Sequence, residues 1–237
     1  MLTIVDIISE AQQGVTRPFL CRCDDGQDYY AKRRNAGRKA QMCEWIAASL
    51  AKRLPLPIPA FGIAEVPRAL LDLRAPEERR DWGEGPVFVS RAVPDAVEIR
   101  FTDLTKVPLR LRAAILLFDA WIGNDDRTLG FRGGNPNLLW SDRTQEVTMI
   151  DHNLAFTATP QQVLAEYVFA EAATAWGQEF ATEWSAYLVA AVQDLPHIWD
   201  AMPDIWIEDG AGVLALEQVR ERLQIFTDAR NPEWAIR

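Results

Sequence analysis

Between Asn124 and Phe156 the chain reads NDDRTLGFRGGNPNLLWSDRTQEVTMIDHNLAF, and its chemistry-bearing side chains concentrate there. An acidic loop, Asn124-Asp125-Asp126-Arg127, follows a very apolar segment. Asn135-Pro136-Asn137 then precedes a short apolar run, Leu138-Leu139-Trp140. After a polar turn around Ser141-Asp142-Arg143, a second run, Val147-Thr148-Met149-Ile150, ends at Asp151. The two runs predict an antiparallel hairpin. Folded about Thr144, it pairs Leu138 with Ile150 and sets Asn137 opposite Asp151, with the Asp126 loop arriving at the same end. An amide oxygen beside a carboxylate suits Mg²⁺, which takes one or two protein oxygens and leaves its other positions to phosphates and water. Phosphoryl transfer from a Mg-nucleotide also needs an Asp that accepts the proton of the acceptor hydroxyl. An ordinary hairpin with polar ends has the same spacing, so spacing does not decide between the two.

The string Asp126-Arg127, Asn137-Leu138-Leu139, Ile150-Asp151-His152 resembles the catalytic and metal-binding core of HipA-like kinases. It is similar, more distantly, to lipid kinases. The resemblance implies an α+β, two-lobed protein-kinase-like fold that uses ATP and Mg²⁺. It implies Asp126 as catalytic base and Asn137 and Asp151 as metal ligands. Kinase loops usually place about five positions between that Asp and Asn. Here Gly130-Phe131-Arg132-Gly133-Gly134 lengthens the step and makes Asn135 a rival ligand. Asn137 is preferred because an apolar strand begins directly after it. Arg127 either neutralises the transferring phosphate or pairs with a neighbouring carboxylate.

Several elements must position these groups. Pro108 to Ile122 reads as a helix apolar nearly all round, hence a central one. Pro108 suits its first turn and Gly123 its C-terminal cap, so a rigid rod delivers Asp126. Upstream, Pro18–Cys23 and Gln27–Lys32 flank Asp24-Asp25-Gly26, a strong hairpin signal. Lys32 ends the second strand, where a kinase keeps the lysine that contacts ATP phosphates; a solvated edge lysine in Lys32-Arg33-Arg34 is the alternative. The turn Gly14-Val15-Thr16-Arg17 would cover the phosphates, which makes Thr16 a nucleotide contact. A helix over Gly37–Leu54 carries Glu44 among small residues, where a kinase keeps the glutamate that pairs with the strand lysine; a surface glutamate is the alternative. Prolines 55, 57 and 59 then force an extended path. Phe61–Val66 reads as a strand, and 67–85 as a charged excursion with a short helix. Pro86–Ser90 reads as a buried strand leading to Arg91-Ala92-Val93-Pro94; by position it resembles the inter-lobe hinge of a kinase, which would set Phe88 and Ser90 beside adenine, and a plain core strand is the alternative. After Phe156 the pattern is helical over 161–174, 179–195 and 212–230. Trp176, Trp184, Trp199 and Trp206 read as packing residues.

The 237 residues, 49% hydrophobic, suit one compact unit or two small lobes; the kinase resemblance implies lobes at 1–91 and 92–237. No apolar run is long enough to span a membrane. Asp6 and Glu10 interrupt any signal-peptide core, so a cytoplasmic location is expected. Cys21, Cys23 and Cys43 fit a reducing compartment and make a poor zinc set. Residues 1–85 sum to +1 and 86–237 to −10, with no Lys or Arg between Arg143 and Arg220. That balance argues against direct nucleic-acid binding. The resemblance implies a Ser/Thr protein kinase with a protein acceptor, and an antitoxin-like partner such as some relatives have. A kinase of small molecules or lipid headgroups, or a catalytically dead nucleotide-binding regulator, are the other readings.

Overall fold

A computed structural model describes residues 1–10, 18–32, 36–208 and 213–235. The first third folds into a closed five-stranded barrel of order β1-β2-β3-β5-β4. Its strands are β1 (Leu2–Glu10), β2 (Phe19–Cys23), β3 (Asp28–Ala31), β4 (Phe61–Val66) and β5 (Gly85–Arg91). The Asp24-Asp25-Gly26 turn joins β2 to β3, with Gly26 at φ 76°. The sequence reading did not anticipate β1. It closes the barrel by running antiparallel to β2 and parallel to β4. Its alternation is blurred by two register shifts, and bulges of this kind break the period-2 signal. Ile4, Ile7, Cys21, Cys23, Val87 and Val89 point inward with Trp82, which seals one side against Phe19. The cysteines are buried free thiols, and burial pushes Cys21 and Cys23 each up to about 12.

Between β3 and β4 lies α1 (Arg38–Ala51), after which the prolines carry the chain extended into β4. The excursion holds two short helices, α2 (Arg68–Leu71) and α3 (Pro76–Trp82). Strand alternation gives β5 two destinations: Val87 and Val89 enter the barrel, while Phe88 joins the larger core with Met42, Ile46 and Leu50 of α1. That larger core continues into the helical half.

A short strand β6 (Val97–Glu98) and a 3-10 turn (Phe101–Lys106) lead to α4 (Leu109–Ile122). Every residue of α4 from Ala113 to Ile122 is buried, as its all-round apolarity predicts. Gly123 ends it in the left-handed region at φ 66°, ψ 48°. A Cβ there would fall 2.5 Å from the Ala158 carbonyl oxygen, so only glycine makes this exit. The long step from Asp126 to Asn137 contains a second small hairpin, β7 (Thr128–Gly130) with β8 (Gly133–Asn135).

β9 (Leu138–Ser141) and β10 (Glu146–Met149) form the expected hairpin, with β6 as third strand. The register is one residue away from the expected one: Leu138 pairs with Met149 and Trp140 with Val147. Asn137 therefore faces Ile150, whose N–H donates to the Asn137 carbonyl at 3.0 Å. A one-residue slip exchanges the two faces of a strand. The observed register puts Val147 and Met149 on the buried face with Leu138 and Trp140; the expected one would have buried Thr148 and Ile150 instead.

The remaining helices are α5 (Pro160–Glu166), α6 (Gln178–Gln193), α7 (Leu195–Asp200), α8 (Asp204–Ile207) and α9 (Leu216–Leu223). Thr159 caps α5 through a reciprocal capping box with Gln162, and Pro160 takes its first position. The helix expected over 161–174 stops at Glu166 and resumes as a 3-10 turn, Ala170–Ala175. The one expected over 212–230 is confined to α9, and residue 212 lies outside the described residues. Trp176, Trp184 and Trp206 are buried in the core, and Trp199 packs against it. Among the described residues no helix is long and apolar enough to cross a membrane.

Candidate active site

Lys32 follows β3 directly, and its N–H donates to the Phe88 carbonyl at 3.1 Å, fixing it against β5. Its ammonium lies 2.8 Å from Glu44 Oε1, in α1, and donates to Asp151 Oδ1 at 2.6 Å. Burial alone would lower the lysine's pKa. Glu44 and then Asp151 outweigh it, so the ammonium is held charged, above its ordinary range. Burial likewise opposes ionisation of Asp151, but Lys32 wins and holds that carboxyl low. Burial pushes Glu44 up. Glu44 also accepts from the His152 N–H at 3.1 Å. These residues stand far apart in sequence and converge only because β3, α1 and the end of β10 meet.

Asp126 leaves α4 three residues past its glycine cap and is half-buried. Its Oδ2 accepts from two side-chain amides, Asn135 Nδ2 at 2.7 Å and Asn137 Nδ2 at 3.0 Å. Asn137 and Asp151 both hold left-handed backbone, φ 47° and 55°. Short polar side chains tolerate that region, and strained backbone of this kind clusters at functional sites.

Arg127 does not face open space. It is 0% exposed, and its Nε donates to Asp119 Oδ2 at 2.6 Å. One terminal nitrogen donates to the carbonyls of Pro136 and Ile150, each at 3.3 Å, and to that of Asn137. The other lies 3.2 Å from His152 Nε2. Burial and then Arg127 push His152 down to about 4, so the ring is neutral with Nε2 accepting. Tyr167 Oη donates to Asp119 Oδ2, and Asn124 Nδ2 to Asp119 Oδ1 at 3.2 Å. One guanidinium thus ties both ends of the β9–β10 hairpin to α4. Of the two sequence alternatives for Arg127, pairing with a carboxylate is the observed one.

A cavity of about 800 Å³ opens between the barrel and the helical half. Lys32, Glu44, Asn135, Asn137 and Asp151 line it, as do Phe88, Ser90 and the segment through Val93. Its walls are apolar at Ile58, Phe61, Leu139 and Met149. The backbone of Phe88 is spent within the protein, because its N–H donates to Gln41 Oε1 at 2.6 Å and its carbonyl accepts from Lys32. The N–H groups of Arg91 and Ala92 donate to Ala60 and Asp28 carbonyls. Phe88 therefore offers the cavity its ring rather than a backbone donor. Thr16 and the Gly14 turn lie outside the described residues.

The donor set fits a hard cation. Lys32 engages Asp151 Oδ1, which leaves Oδ2, and the Asn137 amide gives its nitrogen to Asp126, which leaves its oxygen. Asn135 gives its nitrogen to the same carboxylate, so hydrogen bonding does not separate the two amides. Asn137 has the further tie that its carbonyl pairs with Ile150, one residue before Asp151. Among the described residues no cluster of three or more His, Cys, Asp or Glu could hold a metal alone. Sequence reading missed Gln41, which bridges the Lys32 carbonyl at 2.8 Å to Phe88, and it missed Asp119 and Tyr167. Asp119 left a signal: it is the one acidic residue of an otherwise apolar helix interior, and a buried charge requires a partner. Nothing local marks Tyr167.

A family model described as HipA-like kinase matches residues 4–232, nearly the whole chain. No curated protein matches it. Among solved structures, the open conformation of CtTel1 aligns at 14% identity and TM-score 0.33, over 93% of this chain and 11% of that one. The FAT and kinase domain of CtTel1 aligns at 15% identity and TM-score 0.25, over 96% of this chain and 23% of that one. This chain spans about a tenth of the first structure's length.

Proposed function

Because the chain belongs to the HipA-like kinase family, we propose that it transfers the γ-phosphoryl group of ATP to a serine or threonine hydroxyl of a protein. The observation that carries this is the Lys32–Glu44–Asp151 group, assembled from three elements at the wall of one large cavity. The barrel with α1 (residues 1–91) acts as the nucleotide-covering lobe, and 92–237 as the lobe holding the catalytic loop and hairpin. An ammonium has three donors; two go to Glu44 and Asp151, and the third reaches a phosphate oxygen. Asp151 and Asn137, with Asn135 as the rival, would hold Mg²⁺, which neutralises charge on the phosphates. Asp126 receives the acceptor proton as the hydroxyl oxygen bonds to the γ-phosphorus; the bond from that phosphorus to the β-bridging oxygen breaks and ADP leaves. Asn135 and Asn137 orient the carboxylate for this task. Arg127 is a positioning residue, since its hydrogen bonds end on protein groups. The acidic balance of residues 86–237 supports a reading without direct nucleic-acid contact, and a cytoplasmic protein acceptor and an antitoxin-like partner belong to the same proposal.

Two measurements test this together. At about 100 times its dissociation constant, Mg-ATP stabilises a fold by about 2.7 kcal/mol, and each kcal/mol moves a chain of this size by ~2–4 °C. We expect a Mg²⁺-dependent melting shift of several degrees that Asp151→Ala abolishes. Transfer from γ-labelled ATP to the protein itself or to a cell extract should fall roughly 10²–10⁴-fold in Asp126→Asn, with the melting shift kept. Equal labelling by wild type and Asp126→Asn would remove Asp126 as base. The second reading is a nucleotide-binding regulator without transfer. Its support is that Asp126 is capped by two amides and does not itself line the cavity; a melting shift with no labelling at all would select it.

A further inference from the structure

The residues that lengthen the step from Asp126 to Asn137 form a specified device. Gly130 and Gly133 pair across a two-residue tip, Phe131-Arg132. Gly133 has φ 105°, in the region that favours glycine. At Gly134 a Cβ would fall 2.4 Å from the Thr128 carbonyl oxygen, so the two strands approach more closely than a side chain permits. The Asn135 N–H donates to Thr128 Oγ1 at 3.3 Å, and the Asn135 amide grips Asp126 at 2.7 Å. The base of the hairpin is thereby tied to the proposed catalytic carboxylate. Its tip displays Phe131, 93% exposed, at the mouth of the cavity. Isolated exposed apolar side chains are common and need no explanation. This one sits on a hairpin whose geometry requires glycine at 133 and 134, and exposed Val97 and Phe101 border the same mouth.

We infer that the β7–β8 hairpin is the arm that recognises the acceptor: an extended polypeptide segment that lays an apolar side chain on Phe131 while its hydroxyl reaches Asp126. The inference rests on the phosphotransferase reading and names the substrate class of that site. Lys32 and Asp151 mark the phosphate end of the cavity, and Asn135 places the hairpin beside that end rather than beside Phe88 and Val93. Three residues of strand extend about 10 Å. A ligand that meets both the tip and Asp126 must span roughly that length, about three extended residues and more than a small hydroxylated metabolite. β7 and β8 form a two-stranded sheet with no third strand among the described residues. Each outer edge carries unpaired backbone groups to which an extended segment adds by strand pairing.

The test presents wild type, Phe131→Ala and Phe131→Leu with γ-labelled Mg-ATP and a degenerate library of Ser- and Thr-containing peptides, beside the Mg-ATP melting shift of each. Wild type should select an apolar residue at one fixed position relative to the labelled hydroxyl. Phe131→Ala should lose that selection and raise KM for the best peptide roughly 10-fold or more, with the melting shift unchanged. Phe131→Leu should keep most of the selection. An unchanged peptide profile in Phe131→Ala overturns the inference. A melting shift that falls with the ring overturns it as well, and makes Phe131 a nucleotide lid. Wild type that binds Mg-ATP but labels no peptide removes the polypeptide acceptor and leaves the nucleotide site standing. Absence of any Mg-ATP shift in wild type defeats the underlying phosphotransferase reading, and the inference with it.

Discussion

Among the described residues, every hydrogen bond of the Arg127 guanidinium ends on the protein itself. It sits fully buried between Asp119, His152 and the carbonyls of Pro136, Asn137 and Ile150. Removing one member of a buried ion pair leaves an uncompensated charge and costs about 3–5 kcal/mol. We expect Asp119→Asn to lower unfolding free energy by about that amount, read from urea melts. The double variant Asp119→Asn/Arg127→Met should be less destabilised than the sum of the two singles, because it strands no charge. Strict additivity would show that the two residues are not coupled. Arg127→Lys keeps the charge but loses the planar fork that reaches several carbonyls at once, so it should weaken Mg²⁺-dependent nucleotide binding although no Arg127 atom lines the cavity.

Among the elements, α4 carries the decisive joint. Its apolar circumference fixes it in the core, and Gly123 turns the chain out of it in a left-handed conformation directly before the acidic loop. A left-handed turn costs a residue with a side chain about 1–2 kcal/mol. Here a methyl group would also meet the Ala158 carbonyl and the Arg222 guanidinium. Arg222 itself donates to the Ala120 carbonyl, placing positive charge where the helix dipole is negative. We expect Gly123→Ala to destabilise the fold by more than about 1–2 kcal/mol and to depress phosphoryl transfer beyond what the lost stability explains, since the Asp126 loop must shift. Wild-type stability in Gly123→Ala would contradict the strain read at this joint.

Across the whole molecule, one hydrophobic core draws residues from both sides of position 91. The barrel has its own interior, but α1 sends Met42, Ile46 and Leu50 into the core that α4, α6 and α7 share. Trp45 Nε1 donates to the Ile198 carbonyl at 2.8 Å, and Arg53 pairs with Asp194. A fragment of residues 92–237 would lose those partners and expose the seat of α1. We expect it to lack a cooperative urea transition, whereas the full chain unfolds with one. A cooperative transition in the fragment would establish 92–237 as an independent folding unit. The same packing assembles the candidate site, because α1 supplies Glu44 and so registers the lysine of the barrel against Asp151 of the hairpin.

Local signals were enough for much of this. The Asp24-Asp25-Gly26 turn, the prolines after α1, the all-round apolarity of α4 and its glycine stop each determine structure within a few residues, so sequence located β2, β3, β4 and α4 closely. The string from Asp126 to His152 named the family, which matches nearly the whole chain. What the sequence left open depended on partners distant along the chain. The hairpin register turned on which face the core would bury, and that put Val147 and Met149 inside. β1 was hidden because bulges disrupt its alternation, and it is a strand only by virtue of β2 and β4. Arg127 had two readings until α4 placed Asp119 against its Nε. Periodicity and turn chemistry act between near neighbours and can be read from one sequence; a buried charge finds its partner only when the chain folds, and here that partner decided which residues face the cavity and which hold them there.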